Sequence, residues 1–232
     1  MPRATAINTL AVSRRPGRPK GFDSTCRDKL LAVALSSFAR HGFDGVSLRT
    51  IASTAGFDVS MLAHHFGSKA DLWRTVVDEV AQKHQTLQLE LNELKSADQP
   101  LVRRVTSLLD RMVDHLADQP ETILFITREI SAPSERLDYL VEHLIRPGSE
   151  ICVPLWREAM DAGLLRPSNP VVLHVGLFSG VAMILSSRHI IARLGGGDVG
   201  IEQLKTEIHA SLLGNVTADC PCSSSLPPSG KL

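Results

Sequence analysis

The run Ser47–Lys69, SLRTIASTAGFDVSMLAHHFGSK, constrains the fold of this chain more than any other stretch. Leu48, Ile51, Ala52 and Ala55 recur at helical spacing, so one face of a short helix over about 47–54 must be buried. Ser47 is its cap, because a serine oxygen can accept a hydrogen bond from an orphan amide of the first turn. Ala55-Gly56 makes the corner, since glycine tolerates the positive φ of a sharp helix–helix turn. Asp58 caps a third helix over about 59–65, with Leu62 and Phe66 facing the core. Val59, Ser60, Met61, Ala63, His64 and His65 are left on or near the outer face. Ser68-Lys69-Ala70-Asp71 reads as a capping box opening a fourth helix.

Upstream, Asp23 or Ser24 can cap a first helix over about 24–40. Its stripe is Leu30, Ala34 and Phe38, widened by Leu31 and Leu35. His41-Gly42 ends it. Before it lies Arg14-Arg15-Pro16-Gly17-Arg18-Pro19-Lys20-Gly21, within a segment read as disordered over 1–22. Proline keeps such a segment extended, and its Gly17-Arg18-Pro19 core resembles the AT-hook, a minor-groove element. The chain carries 25 Lys/Arg and 25 Asp/Glu, yet the balance is uneven. Residues 1–70 hold ten basic against four acidic residues, a net of +6, which leaves −6 on the remainder. A basic first third on an acidic body fits a polyanion-binding head.

The body reads as helical throughout, with no strands and no repeats. The fourth helix is expected to run about 25 residues through Leu72, Val76, Val80, Leu87, Leu91 and Leu94. Further helices follow around Leu101–Leu116, Ile123–Ile130 and Leu137–Ile145. Pro147-Gly148 and Pro154 are expected to bend or break the next segment, which resumes through Trp156 and Met160. Asn169-Pro170 opens an apolar helix expected to reach Leu194. A final helix passes through Ile201, Leu204, Ile208 and Leu212. The apolar run Val171–Ser187 is slightly short for a membrane span and reads as a buried helix. The four cysteines make no disulfide framework, which fits reduced thiols in the cytoplasm. Cys220-Pro-Cys222 falls in a Ser/Pro-rich tail and offers too few ligands for a closed zinc site.

Thr50-Ile51-Ala52, Ala55-Gly56, Leu62, His65-Phe66 and Ser68-Lys69 with Leu72 together resemble the helix-turn-helix signature of TetR/AcrR-type transcriptional regulators. The resemblance implies an all-α chain: a basic arm at 1–22, a three-helix DNA-binding head at 23–70, a helical ligand-binding and dimerisation body at 71–214, and a tail at 215–232. It implies a homodimer through about 170–194 and 201–213, on double-stranded operator DNA. A hydrophobic small molecule would bind in the body and release the operator. No cofactor, metal or membrane is expected. Residue by residue, Ser47 and Lys69 match phosphate-contacting positions, and Arg49 a second-helix position able to reach a base or phosphate. Val59, Ser60 and Met61 match the groove-facing start of the recognition helix, and His64 and His65 can donate to phosphates or bases. Arg14, Arg15, Arg18 and Lys20 form the arm. The family commonly has Tyr where this chain has Ala63, and Gly or Ala where it has Ser60.

For the ligand, Phe125, Arg128, Trp156, Met160, His174 and Phe178 are the candidates, although core packing explains most such residues equally well. Two other functions stay open at this point: an architectural or partner-controlled DNA-binding protein without an inducer, and, remotely, a helical enzyme. No Ser/His/Asp set, paired carboxylates, phosphate loop or metal spacing supports the last.

Overall fold

The computed structural model describes residues 24–96, 98–131 and 133–213, and within them every regular element is helical. The head consists of α1 (Ser24–His41), α2 (Leu48–Ala55) and α3 (Val59–Phe66). The body consists of α4 (Lys69–Ser96), α5 (Leu101–Ala117), α6 (Pro120–Glu129), α7 (Glu135–Leu140), α8 (Arg146–Asp161), α9 (Pro170–Ser186), α10 (Arg188–Arg193) and α11 (Ile201–Leu213). The basic arm, Asp23 and the Cys220/Cys222 tail lie outside the described residues.

The head forms as its sequence dictates. Leu30, Ala34 and Phe38 of α1, Ile51 and Ala55 of α2, and Leu62 of α3 close on one another with almost no exposure. Gly42 and Gly56 take φ of 73° and 80°, the left-handed values that end α1 and turn α2 into α3. The helix starts are chemically specified. The Ser47 hydroxyl oxygen accepts from the Thr50 amide at 3.1 Å, and an Asp58 carboxylate oxygen accepts from the Ser60 amide at 2.7 Å. At α4 the capping box is reciprocal: the Ser68 amide donates to Asp71 at 3.0 Å while the Asp71 amide donates to Ser68 Oγ at 3.1 Å.

Two apolar clusters fill the molecule. One combines the head with the first half of α4 and takes in Phe125, Ile126, Leu140 and Leu144. The other lies between α5, α8, α9 and α11. Helix α6 joins them, with Phe125 and Ile126 in the first cluster and Ile123 in the second. Phe125 is fully buried against Trp73, their ring centroids 5.7 Å apart.

Two expectations change. Of the bend or break expected at Pro147 and Pro154, no break occurs: helix continues through both. A π turn, Val141–Ile145, joins α7 directly to α8, so Pro147, which has no amide to donate, follows immediately on a widened turn of a continuous helical segment. The apolar helix after Asn169 does not reach Leu194 unbroken. Ser187 leaves helical geometry (φ −118°, ψ 19°) and its amide donates back to Ile184 O, separating α9 from the short α10. Nor is α9 buried all round: Val171, Val172, Val175 and Met183 are exposed, each by more than half, while His174, Val181 and Ala182 face inward. Among the described residues no helix is long and apolar enough to cross a membrane.

Phe125→Ala, which empties the contact between α6 and the head, should cost about 3–5 kcal/mol. Urea unfolding followed by helicity would check this, and a cost below about 1 kcal/mol would mean that α6 is not integral to the head core.

Candidate functional site

The candidate DNA-reading surface is built on α2 and α3. Leu62 and Ile51 bury the inner faces of these helices, and the Gly56 turn fixes the angle between them. The exposed face of α3 carries Ser60, Ala63 and His64, three positions that share one side at i, i+3, i+4 spacing. Met61 is half-buried and Val59 packs partly against the head core, so Val59 is less available than its place at the helix start suggests. The Ser60 hydroxyl donates to Asp58 at 2.5 Å, and that hydrogen bond holds the Asp58 carboxyl below its usual range. His64 and His65 are both exposed, with their rings edge-on at 5.2 Å. Arg49 is exposed on α2, and the Ser47 hydroxyl lies 2.8 Å from Thr50 Oγ1. Arg14, Arg15, Arg18 and Lys20 lie outside the described residues.

Lys69 is held differently from a free phosphate hook. Its ammonium donates to the carbonyls of Phe43 (3.0 Å) and Val46 (3.1 Å) and sits 4.3 Å from the Phe43 ring centroid. The Arg136 guanidinium also lies 4.3 Å from that centroid. The loop that delivers Ser47 and α2 is therefore clamped from α4 by Lys69 and from the body by Arg136. Arg136 is aligned in turn by the buried Glu129 carboxylate at 3.1 Å.

Helix α6 adds further ties to the head. Arg128 donates to Arg40 O at 2.8 Å, placing a cation at the carboxyl end of α1. Glu121 accepts from the Ser36 hydroxyl at 2.7 Å. Arg128 is thus engaged with the carboxyl end of α1.

The body holds a second site, an apolar cavity of about 380 Å³ between α4, α5, α6, α8 and α9. Of the six ligand candidates, His174 and Phe178 line it. Phe125, Arg128, Trp156 and Met160 do not; Phe125 is in the head core, while Trp156 and Met160 are packed in the body core. Sequence reasoning missed His84, His115 and Cys152, which do line it. The signal was present: His84 interrupts the apolar stripe Val80, Leu87, Leu91, and His115 lies between the buried Met112 and Leu116. All three cavity histidines titrate below the usual imidazole range, each principally because burial disfavours the charged ring.

Residues 30–76 match the profile of bacterial regulatory proteins of the tetR family. The HTH-type transcriptional regulatory protein RaaS of Mycobacterium tuberculosis is 29% identical over 161 residues, 65% of this chain and 64% of that protein, so the match falls just short of two thirds of its length. The HTH-type transcriptional repressor SCO4008 of Streptomyces coelicolor is 22% identical over 192 residues, covering 78% of this chain and 89% of that one. Among solved structures, AibR in complex with isovaleryl coenzyme A and operator DNA shares the fold. Its TM-score is 0.64 at 17% identity, covering 81% of this chain and 98% of that one.

The two cations of the head should behave differently on substitution. Lys69→Ala should lower the thermal midpoint, because two loop carbonyls lose their donor. Arg49→Ala should leave the midpoint unchanged and weaken DNA binding. Thermal melts beside fluorescence anisotropy with duplex DNA separate the two effects; an unchanged melt for Lys69→Ala would remove the clamp.

Proposed function

We propose that the chain is a DNA-binding transcriptional regulator of the TetR family rather than an enzyme, and that it acts as a homodimeric repressor released from a palindromic operator by a small hydrophobic ligand. The observation that carries this reading is the double membership of α6. Its Phe125 belongs to the head core, while Ile126 belongs to that core and also lines the cavity. A molecule filling the cavity presses on the helix that holds α1 through Arg128 and α2 through Glu129 and Arg136. Ligand then favours the arrangement of heads that no longer matches the operator, a shift equal to its difference in affinity for the two states. An architectural regulator without an inducer needs no such cavity.

The proposed DNA contacts follow the exposed edge of the head. Arg49, His64 and His65 reach bases or phosphates, and Ser47 and Ser60 add short polar contacts. Val59 and Met61 provide apolar contact from half-buried positions. Lys69 has one ammonium proton left for a phosphate beside its two carbonyls. Arg14, Arg15, Arg18 and Lys20 supply the arm. The proposed head spans 23–70 and the body 71–214, with α6 crossing between their cores, and the compartment proposed is the cytoplasm.

The proposed partner in the dimer is a second copy, through α9 and α10 (within about 170–194) and α11 (within about 201–213). The exposed Val171, Val172, Val175 and Met183 support this face, for such a set is costly to leave in water. Dimer heads would meet half-sites about 34–36 Å apart or a multiple of that.

Selection from random duplex DNA with the full chain tests the reading. An inverted repeat should emerge, bound with an affinity that falls steeply with salt. Met183→Glu should give a monomer by sedimentation and lose most operator affinity. A selected sequence with no two-fold symmetry, bound by one chain, would contradict the reading.

A further inference from the structure

The cavity wall has a definite polar chemistry that its apolar bulk hides. His84 (α4), His115 (α5) and His174 (α9) all line it, and one hydrogen bond to each ring fixes which nitrogen carries the proton. A carbonyl can only accept, so His84 Nδ1 donates to Val80 O at 2.6 Å, which leaves Nε2 as an acceptor. Gln119 accepts from Thr122 Oγ1 with its carbonyl oxygen, so its amide nitrogen donates to His115 Nε2 at 3.3 Å. His115 Nδ1 then bears the hydrogen. An indole N–H can only donate, so Trp156 donates to His174 Nδ1 at 3.5 Å, which puts the hydrogen on His174 Nε2. The three rings together offer one acceptor and two donors. His84 and His115 lie edge to face with centroids 4.3 Å apart.

The charge that acts on these groups, Asp118 on His115, lies outside the lining. The lining contains no Lys, Arg, Asp or Glu, and its other titratable group is Cys152 of α8, whose thiol burial pushes up to about 12. Burial and the neighbouring His84 hold His115 at about 4, against the opposite pull of Asp118. Burial lowers His84, despite its bond to Val80 O, and it lowers His174. An ion entering this space would lose its hydration and find no counter-charge. A neutral molecule with a hydroxyl, carbonyl or amide would find both an acceptor and donors.

We propose that the cavity takes an uncharged amphipathic molecule and that His84, His115 and His174 read its polar end. This rests on the reading of the cavity as the effector site and adds the ligand's chemical class. A volume of about 380 Å³ suits one small molecule rather than a large conjugate.

The test uses the full chain with N-phenyl-1-naphthylamine as a fluorescent reporter at pH 7.5. Its competitors are decan-1-ol, decanoate and decylammonium, which share one tail and differ in the charge of the head. Decan-1-ol should displace the reporter at a concentration about ten-fold or more below either ion, because neither ion finds a partner for its charge. Gly148→Leu locates the site. Gly148 lines the cavity, and a Cβ there meets nothing within 4 Å, so a leucine can grow into the open space and abolish reporter binding. His115→Lys, checked for native helicity, should reverse the order in favour of decanoate; failure to reverse it in a folded protein would remove His115 from the polar end. If decanoate or decylammonium equals decan-1-ol in the wild type while Gly148→Leu still abolishes binding, the neutral-ligand inference is overturned and the effector cavity stands. If the reporter does not bind, or still binds Gly148→Leu, the effector cavity falls and the inference with it.

Discussion

The burial of Phe125 against Trp73 is the contact on which the rest of the molecule depends. A helix of ten residues, α6, is thereby locked into the core of the head although it belongs by position to the body. One turn is enough to carry Phe125 and Ile126 into the first core and Ile123 into the second. The polar ties of α6 repeat the same link at the surface: Arg128 on the end of α1, Glu121 on Ser36, and Glu129 on Arg136 beside Phe43. Packed cores respond to a change of volume by shifting as units rather than deforming smoothly. The cavity shares Ile126 with the head core, which is the link that the proposed ligand response uses.

The head separates frame from contact. Capping groups fix its geometry: Ser47 on Thr50, Asp58 on Ser60, and Ser68 with Asp71. Several polar groups that face outward are consequently engaged inside the protein. The Ser60 hydroxyl is bonded to Asp58, and two of the three ammonium protons of Lys69 hold loop carbonyls. The exposed face of α3 then offers His64 as its main donor, with Arg49 beside it on α2. For the proposed DNA contacts, so sparse a set of exposed donors gives more weight to phosphate contacts and to DNA shape.

The head was legible in the sequence because its signals are local. A Ser, Asp or Gly at a fixed offset from an apolar stripe specifies a cap or a turn without help from distant residues. Lys69 marks the limit of that logic, since its partners, Phe43 and Val46, lie more than twenty residues upstream and only tertiary packing brings them together. The body was legible as helices but not as a site. Phe125, Trp156 and Met160 have the composition of pocket residues and the placement of core residues, and periodicity cannot separate the two. His84 and His115 were readable as polar residues on buried stripes, yet their convergence on one cavity depends on how α4 meets α5. Pro147 misled for a related reason: a π turn immediately before it absorbed the break that proline usually causes.

The chain has two tryptophans, and they stand at the two ends of the proposed linkage. Trp156 touches the cavity through His174, and Trp73 touches the head junction through Phe125. Fluorine NMR of the fluorotryptophan-labelled protein, titrated with N-phenyl-1-naphthylamine, follows both at once. If α6 transmits occupancy to the head, both resonances move along one binding curve. A shift confined to Trp156, with Trp73 unmoved at saturation, would show that the cavity and the DNA-reading head are not coupled.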